Sequence, residues 1–257
     1  MKIAVCVKQV PEAQAKRIDP GTKRLDRSGE AALNAFDANA IEEALRVKES
    51  SGDGEVVLVS LGPQAALDAL RKGLAMGADR AVLVSDDTAA GSDLVATSLA
   101  LAKALEREGA DLILFGQQAS DSDGAVLWAA VADRLRVPLI SQAAELSVAD
   151  RKARVKRQTE FGYDVIEAPL PAVVAVSDAI NEPRYPSLKG IMGAKKKPQE
   201  TLDASALGLD GALGEQGSKT EVYTINDPPP RGDTRKIEDT AGAPQQIVEF
   251  LAEKRLL

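Results

Sequence analysis

The chain has 257 residues and a mass of 27.0 kDa, enough to bury a full hydrophobic core, and 28% of its residues are charged. Its formal net charge of −7 argues against a general binder of nucleic acid or of anionic membranes. The sequence contains no histidine, which excludes a Ser-His-Asp or Cys-His nucleophile system and a typical histidine-rich metal site.

Up to residue 135 the pattern alternates between short apolar runs and longer amphipathic segments. Strands are predicted at residues 3–7, 55–61, 80–85 and 111–115, and helices at residues 36–49, 64–76, 92–108 and 123–135. Strands separated by single helices with short connections predict right-handed βαβ crossovers and a parallel sheet. In such sheets ligands bind beyond the carboxyl ends of the strands.

The second half of the chain follows a different pattern. A β-hairpin is predicted at residues 152–158 and 163–167, and another buried strand at residues 172–176. From residue 198 onward the chain is loop-like except for a final helix at 244–255, and it cannot form a core of its own. We therefore divide the chain into an α/β domain, residues 1–197, and a C-terminal arm, residues 198–257, that wraps this domain or a second subunit.

The best candidate for a ligand site is the segment 116–124, Gly-Gln-Gln-Ala-Ser-Asp-Ser-Asp-Gly. It follows a buried strand and leads into a predicted helix, whose free N-terminal amides attract phosphate. Asp121, Ser122 and Asp123 also fit plain caps of that helix. Neither GxGxxG nor GxxxxGK[ST] occurs in the chain, so an ordinary dinucleotide fold or a P-loop NTPase is not supported.

A second candidate segment, Asn34 to Asp37, begins the first long helix at the same edge of the sheet. Asn34 and Asp37 also fit simple helix caps. Trp128 is predicted to lie in the core, and Cys6 to be a small buried residue without reactivity. No local pair of carboxylates shows a division of labour between acid and base, so the chain offers no catalytic machinery of its own.

Residues 181–197, which we call the docking segment, contain two prolines, an apolar helical pattern and a run of lysines. Two prolines restrict its first part, and Leu188, Ile191 and Met192 stand at the i, i+3 and i+4 positions of one helical face. Three consecutive lysines, Lys195 to Lys197, follow in an otherwise acidic chain. The pattern fits a docking element for an acidic partner, and it also fits an ordinary surface loop that leads into a helix.

Several motifs together resemble one family. They are the segments Val7-Lys8-Gln9-Val10-Pro11, Asn34-Ala-Phe-Asp37, Gly62-Pro63 with Leu74-Ala-Met-Gly-Ala-Asp-Arg80, Gly116-Gln-Gln-Ala-Ser-Asp121, Leu170-Pro-Ala-Val-Val174, and Asn181-Glu-Pro-Arg-Tyr-Pro-Ser-Leu-Lys-Gly-Ile-Met-Gly-Ala-Lys-Lys-Lys197. They span most of the chain, and the last is highly specific. On these motifs the chain resembles the β subunit of electron transfer flavoprotein.

The resemblance implies an adenine nucleotide α-hydrolase-like domain that carries a buried AMP, with a β-hairpin addition. It implies a heterodimer with an α subunit that holds most of the FAD and is embraced by the C-terminal arm. Such a protein is an electron carrier rather than an enzyme. It takes electrons from acyl-CoA dehydrogenases and related dehydrogenases and passes them through FAD toward a quinone oxidoreductase.

The family's cofactor and partner contacts carry over by motif. The implied cofactor-binding residues are Cys6, Asn34, Ala35, Phe36, Asp37, Leu61, Gly116, Gln117, Gln118, Ala119, Ser120, Asp121, Ser122, Asp123, Gly124, Ala125, Val126 and Leu127. The expected partner-binding residues are Arg184, Tyr185, Leu188, Ile191, Met192, Lys195, Lys196 and Lys197. Among them Leu188 is the expected anchor in the dehydrogenase, and Phe36 is expected near the flavin ring.

Two departures from the family pattern bear on the cofactors. Ala13 stands where many members have a tyrosine beside the flavin, and residues 124–128 lack the usual glutamine-containing phosphate element. Related electron-bifurcating proteins place a second FAD where AMP sits, with an Asp-Gly-Asp-Thr-Ala-Gln type of loop. Asp121-Ser-Asp-Gly-Ala125 is not of that type, so we expect AMP.

Two other classes of protein share this kind of fold. A stand-alone nucleotide-binding module of the stress-protein type would leave the C-terminal arm unexplained. An ATP-pyrophosphatase-type enzyme would need a Ser-Gly-Gly-rich loop after the first strand, where residues 9–12 read Gln-Val-Pro-Glu. A single cysteine, no signal-peptide pattern and no apolar run of about 20 residues lead us to expect a cytoplasmic protein without membrane insertion.

Overall fold

Nine strands form the central sheet in the computed structural model, which describes residues 1–12, 17–230, 236–239 and 241–257. The described residues divide into two units, Met1–Val222 and Tyr223–Leu257. The first unit holds the sheet and its flanking helices. The second holds one helix.

The strands are short, as expected for an α/β protein. They are β1 Lys2–Cys6, β2 Gln9–Pro11, β3 Ile18–Asp19, β4 Arg24–Leu25, β5 Ala31–Leu33, β6 Glu55–Leu61, β7 Arg80–Val84, β8 Leu112–Gly116, β9 Leu139–Ala149, β10 Lys152–Thr159, β11 Gly162–Pro169, β12 Ala172–Val176 and β13 Gln199–Leu202. The helices are α1 Ala35–Ser51, α2 Leu67–Met76, α3 Leu94–Glu108, α4 Leu127–Leu135, α5 Leu188–Ala194, α6 Gly214–Gly217 and α7 Ala243–Glu253.

The sheet has the strand order β11-β10-β9-β12-β8-β1-β6-β7-β13. The pairs from β9 through β12, β8, β1, β6 and β7 to β13 are all parallel. Only β10 and β11, the predicted hairpin, run antiparallel to their neighbours. The predicted α/β class with a mostly parallel sheet is therefore confirmed.

Both faces of the sheet are covered, so its central strands are apolar on both sides. Ile3 and Val5 of β1 join the core beneath α1 and α2, whereas Ala4 and Cys6 join the core beneath α3 and α4. Successive residues of a strand point to opposite faces, which is why one continuous apolar run serves two cores. Among the described residues, no helix is both long and apolar enough to cross a membrane.

Two strands of the sheet were not predicted. β9 is an eleven-residue strand whose outer half alternates exposed and partly buried residues, and its pairing with β12 and with β10 shifts register near Ala143. β13 exposes two of its four side chains and pairs with β7 through backbone hydrogen bonds. Because β13 lies beyond residue 197, the first unit extends to Val222 rather than ending at the predicted domain boundary. Backbone pairing of this kind leaves no local sequence pattern.

Candidate functional site

The carboxyl ends of β1 and β8 meet the beginning of α1 at one edge of the sheet. Gly116, the last residue of β8, lies so close to α1 that a Cβ placed on it would be 2.5 Å from Asp37 Oδ1 and 2.7 Å from Phe36 Cβ. Only glycine allows this approach. The two segments that the sequence analysis singled out, residues 34–37 and 116–124, are thus neighbours in the structure.

Asn34 ties the two segments together. Its Nδ2 donates to the carbonyl of Gln118 at 2.9 Å, and its Oδ1 accepts from the backbone N–H of Ser120 at 3.2 Å. Asn34 does occupy the cap position of α1, but its side chain makes no capping bond there. The cap interpretation is therefore wrong for this side chain, which holds the loop after β8 instead.

Asp37 is a buried carboxylate at the same junction. Its Oδ2 accepts from the backbone N–H of Lys8 at 2.7 Å. Burial raises the pKa of Asp37 to about 7, and hydrogen bonds from Lys8, Asn34 and Gly116 offset only part of that effect. Near neutral pH this carboxyl group is therefore divided between its neutral and charged forms.

Asp121 is held between two cations. Lys8 Nζ lies 2.8 Å from its Oδ1, Arg27 donates to its Oδ2, and the Asp121 side chain has no exposed surface. Burial favours the neutral acid, but Lys8 and Arg27 outweigh burial and lower the pKa of Asp121 below its usual range. Asp121 is therefore a charged group that fixes the loop and does not cap a helix.

The helix after this loop begins later than predicted. α4 starts at Leu127, four residues after the predicted start, and no side chain caps it. Asp123 and Ala125 have positive φ angles of 45° and 46°, which interrupt a helical path. The residues from Ser122 to Gly124 are exposed, so the loop offers its backbone and small side chains to solvent.

Two further predicted cofactor residues, Cys6 and Leu61, lie at the carboxyl ends of the adjacent strands β1 and β6. Cys6 pairs with Val59 of β6 and Phe115 of β8, and burial raises the pKa of its thiol well above the usual value. Cys6 is thus an unreactive neutral thiol. Leu61, at the end of β6, is partly buried. Trp128 packs partly into the core, as predicted, and its Nε1 donates to the Gln117 carbonyl at 3.0 Å.

The docking segment forms a short helix with an exposed apolar face. α5 begins after Ser187, whose side chain accepts from the N–H of Gly190. Leu188 is 80% exposed, Met192 77% and Ile191 53%, which confirms their predicted common face. Tyr185, just before the helix, is 93% exposed.

The cations of this segment divide into two groups. Lys195 and Lys196 are exposed. Arg184 and Lys197, by contrast, bind groups of the chain itself, namely carboxylates of α1 and carbonyls near the end of α2. The expected set of partner-binding residues therefore contains two members that the fold uses internally.

Comparisons with known proteins identify relatives of this chain. A family model described as electron transfer flavoprotein domain matches residues 22–207. The electron transfer flavoprotein subunit beta of Megasphaera elsdenii is 42% identical, over 99% of this chain and 97% of the relative. The chain belongs to the electron transfer flavoprotein β-subunit family. Electron transfer flavoprotein β subunits are electron carriers rather than enzymes, and a β subunit implies an α partner.

Other relatives are similar over the whole chain. Subunit CarD of the caffeyl-CoA reductase-Etf complex from Acetobacterium woodii is 38% identical over 100% of both chains. The subunit beta of Mycobacterium leprae is 38% identical over 99% of both chains. The similarity thus includes the C-terminal residues as well as the sheet.

Two residues of the site, Lys8 and Arg27, were not among the expected cofactor contacts. Lys8 comes two residues after β1, and residues at the carboxyl end of a parallel strand are expected to face a ligand site. Arg27 lies in a polar stretch with no periodicity, and only the fold brings it to Asp121. Ala13, the expected departure beside the flavin, lies outside the described residues. Within the described ranges, no cluster of acidic residues and cysteine could hold a metal ion.

Proposed function

We propose that this chain is the β subunit of a heterodimeric electron transfer flavoprotein that carries electrons from acyl-CoA dehydrogenases and related dehydrogenases toward a quinone oxidoreductase. The similarity to named β subunits over 97–99% of both chains carries the proposal. FAD, held mainly by the α subunit, would supply the redox chemistry. In this role the chain needs no acid, base or nucleophile of its own.

The nucleotide of the β subunit would be AMP, bound at the edge built from residues 34–37 and 116–127. The donor set fits a phosphate. The loop presents small side chains and backbone, and Lys8 and Arg27 supply positive charge beside it with side chains 40% and 46% exposed. Asp37 and Asp121 are buried, and the single Asp121 carboxylate shared by Lys8 and Arg27 leaves this cluster a net positive charge beside the loop.

Partner recognition would take place at the docking segment, apart from the nucleotide edge. Leu188 would insert into the dehydrogenase as an apolar anchor, with Tyr185, Ile191 and Met192 beside it. The exposed Lys195 and Lys196 would favour an acidic partner and speed the encounter. A small interface with one anchor suits a carrier that must leave quickly after each electron transfer.

The second unit would pack on the α subunit. Its helix α7 exposes apolar side chains, with Ile247 48% and Val248 50% exposed, and Leu256 beyond the helix is 69% exposed. Exposed apolar side chains concentrated on an otherwise polar segment mark a surface that another protein covers. We therefore assign residues 223–257 to the interface of the heterodimer.

A bifurcating-type protein with FAD in place of AMP is the second candidate. The full-length similarity to subunit CarD of the caffeyl-CoA reductase-Etf complex favours it. The loop at 121–125, which differs from the type expected for a second FAD, favours AMP. The two candidates share the α partner and the docking segment, and they differ in what the edge of the sheet holds.

Analysis of the bound cofactors tests both candidates. The chain is co-expressed with its α subunit, the complex is denatured, and the released ligands are quantified by mass spectrometry. Equal amounts of FAD and AMP are expected. FAD in twofold excess over the heterodimer without AMP would support the second candidate. A colourless chain that retains no flavin with any α subunit would contradict both.

A further inference from the structure

The docking segment is fastened to the rest of the chain at both of its ends. We propose that Asn181, Arg184 and Lys197 form a clamp that fixes the orientation of α5 before any partner binds. These residues are then positioning residues rather than contacts to the dehydrogenase. The inference rests on the proposed docking function, but its structural part can be tested without any partner.

The N-terminal end of the clamp is Arg184. Its Nε lies 2.7 Å from Glu42 Oε2 and its Nη2 lies 3.1 Å from Glu42 Oε1, so the pair is bidentate. Its Nη1 lies 2.6 Å from Glu49 Oε1. Glu42 and Glu49 both belong to α1, and the Glu42 side chain is only 4% exposed. One planar guanidinium thus bridges two turns of the same helix, a role that lysine cannot reproduce.

Asn181 strengthens the same end. Its Nδ2 donates to Glu43 Oε2 and to the backbone carbonyl of Asn39, both at 3.0 Å. Asn39 returns a hydrogen bond from its Nδ2 to the carbonyl of Asn181 at 2.8 Å. Because these groups are partly buried, their hydrogen bonds favour one register of the segment on α1 over others.

Lys197 forms the C-terminal end of the clamp. Its Nζ donates to the carbonyls of Leu74 at 2.9 Å and Ala78 at 2.6 Å. The last carbonyls of a helix lack partners within the helix, and a cation there also interacts favourably with the helix dipole. Burial lowers the pKa of Lys197, which shows that this ammonium is not an ordinary surface charge.

Close packing joins the two ends. A Cβ on Gly190 would lie 2.4 Å from the carbonyl oxygen of Ala75, so α5 rests directly on the backbone of α2. Ala194, one turn later, is 3% exposed. With Gly190 and Ala194 against α2, the opposite side of α5 carries the exposed apolar face.

The clamp matters because α5 is too short to be stable alone. Helices below about 12 residues are marginal in water, and α5 has 7 residues. Without the clamp a partner would have to order the segment during binding, which weakens association. With it, the apolar face is presented in its bound form from the start.

The experiment compares Arg184→Gln and Lys197→Met with the wild type in the complete heterodimer. Hydrogen exchange of the backbone amides of residues 188–194 is measured without any dehydrogenase, and electron transfer from an acyl-CoA dehydrogenase is measured with the heterodimer as the varied substrate. In each variant we expect the exchange rate of these amides and the KM for the heterodimer both to rise by about tenfold. The kcat and the FAD content should stay unchanged.

Matched variants separate positioning from other effects. Arg46→Gln removes another cation from Glu42, at 3.0 Å, without touching the docking segment. Lys196→Met removes the neighbouring exposed lysine. Gly190→Ala should act like the clamp variants, whereas Gly193→Ala, whose added Cβ meets nothing within 4 Å, should not. Arg46→Gln, Lys196→Met and Gly193→Ala should leave amide exchange of α5 as in the wild type.

Unchanged amide exchange in Arg184→Gln, Lys197→Met and Gly190→Ala would overturn the clamp, even if KM rose. If KM rose in Arg184→Gln and Lys197→Met without faster exchange, and the rise vanished at high salt, Arg184 and Lys197 would be direct partner contacts. Faster exchange in the clamp variants would support the clamp even if the wild-type heterodimer accepted no electrons from the dehydrogenase. The missing electron transfer would then contradict the proposed function and not the clamp.

Discussion

Lys8 Nζ and Asp121 Oδ1 lie 2.8 Å apart, although 113 positions separate the two residues in the chain. The ion pair connects the segment after β1 to the loop after β8, and Arg27 binds the other oxygen of the same carboxylate. The proposed nucleotide loop therefore owes its shape to an internal carboxylate, because its helix α4 begins too late to organise it.

Asp121→Asn should weaken nucleotide retention. The amide keeps the shape of the side chain, but it removes the charge that both cations share and leaves them facing a neutral group. We expect a loss of about 1–3 kcal/mol in nucleotide binding, measured as the AMP retained by the purified heterodimer. Asp133→Asn is the matched control, because the Asp133 side chain is 74% exposed and lies outside the proposed nucleotide edge. Equal AMP retention in the two variants would contradict this role.

Gly116→Ala should separate α1 from β8. The added Cβ would lie 2.5 Å from Asp37 Oδ1 and from the backbone carbon of Phe36, and neither position can yield without moving the start of α1. We expect a loss of about 1–3 kcal/mol in the free energy of unfolding, measured by urea titration, together with lower AMP content. Gly193→Ala, with nothing within 4 Å of the added Cβ and a place outside the nucleotide edge, should resemble the wild type in both measurements. A stable Gly116→Ala variant with full AMP content would refute the close approach.

Because of Asp37, the free energy of unfolding should fall as the pH rises, which is opposite to the effect of an ordinary paired carboxylate. Its pKa is raised from 3.8 to about 7 in the folded chain, so the folded state holds this proton more tightly than the unfolded state. The resulting stabilisation is fully present below about pH 4 and is lost as the pH rises to about 7. Asp37→Asn cannot titrate there. The free energy of unfolding of the wild type minus that of Asp37→Asn should therefore fall between pH 4 and pH 7.

Urea titrations of both proteins at several pH values check this prediction. The slope of the difference should not exceed about 1.4 kcal/mol per pH unit, and the difference should become flat above about pH 8, one unit beyond the folded pKa. The other carboxyl groups contribute equally to both proteins and cancel. A difference that rises with pH would show that Asp37 is more acidic in the folded state than in the unfolded state.

Leu188→Ala should impair docking without disturbing the fold. The side chain is 80% exposed, so its removal leaves no cavity. An anchor in a partner's pocket is expected to contribute about 2 kcal/mol, equivalent to roughly thirtyfold in KM for the heterodimer. Steady-state electron transfer from an acyl-CoA dehydrogenase measures this, with FAD and AMP content as checks. Leu94→Ala, at a leucine 42% exposed on α3, is the control. Unaltered kinetics in Leu188→Ala would remove the anchor assignment.

The predicted elements agree best with the structure where local periodicity decides the outcome. β6 and β12 have the predicted bounds, and β1, β7 and β8 differ from prediction by one residue. α4 begins four residues later than predicted, because the polar residues before it are of the types that cap helices. β13 was missed because a strand held by backbone pairing to β7 carries no apolar pattern of its own.

The site shows the same division between local and long-range information. The sequence indicated residues 34–37 and 116–124 as candidate ligand-binding segments. The first begins a predicted helix and the second follows a predicted strand, both at the carboxyl edge of the sheet. The sequence could not show that Asn34 would bridge them, since an asparagine before a helix fits a cap equally well. The family resemblance, rather than periodicity, supplied the expected cofactor and partner contacts.

By itself the sequence determined the parallel α/β sheet, the absence of histidine chemistry and the apolar face of α5, because composition and local spacing contain all three. Only the tertiary structure decided that Asp121 would bind Lys8, that Arg184 would bind Glu42 and that Lys197 would bind the carbonyl of Leu74. These partners are 113, 142 and 123 positions apart. Charged side chains carry no periodic signal for such distant contacts, so their direction, toward a partner or into the fold, is decided only when the chain has folded.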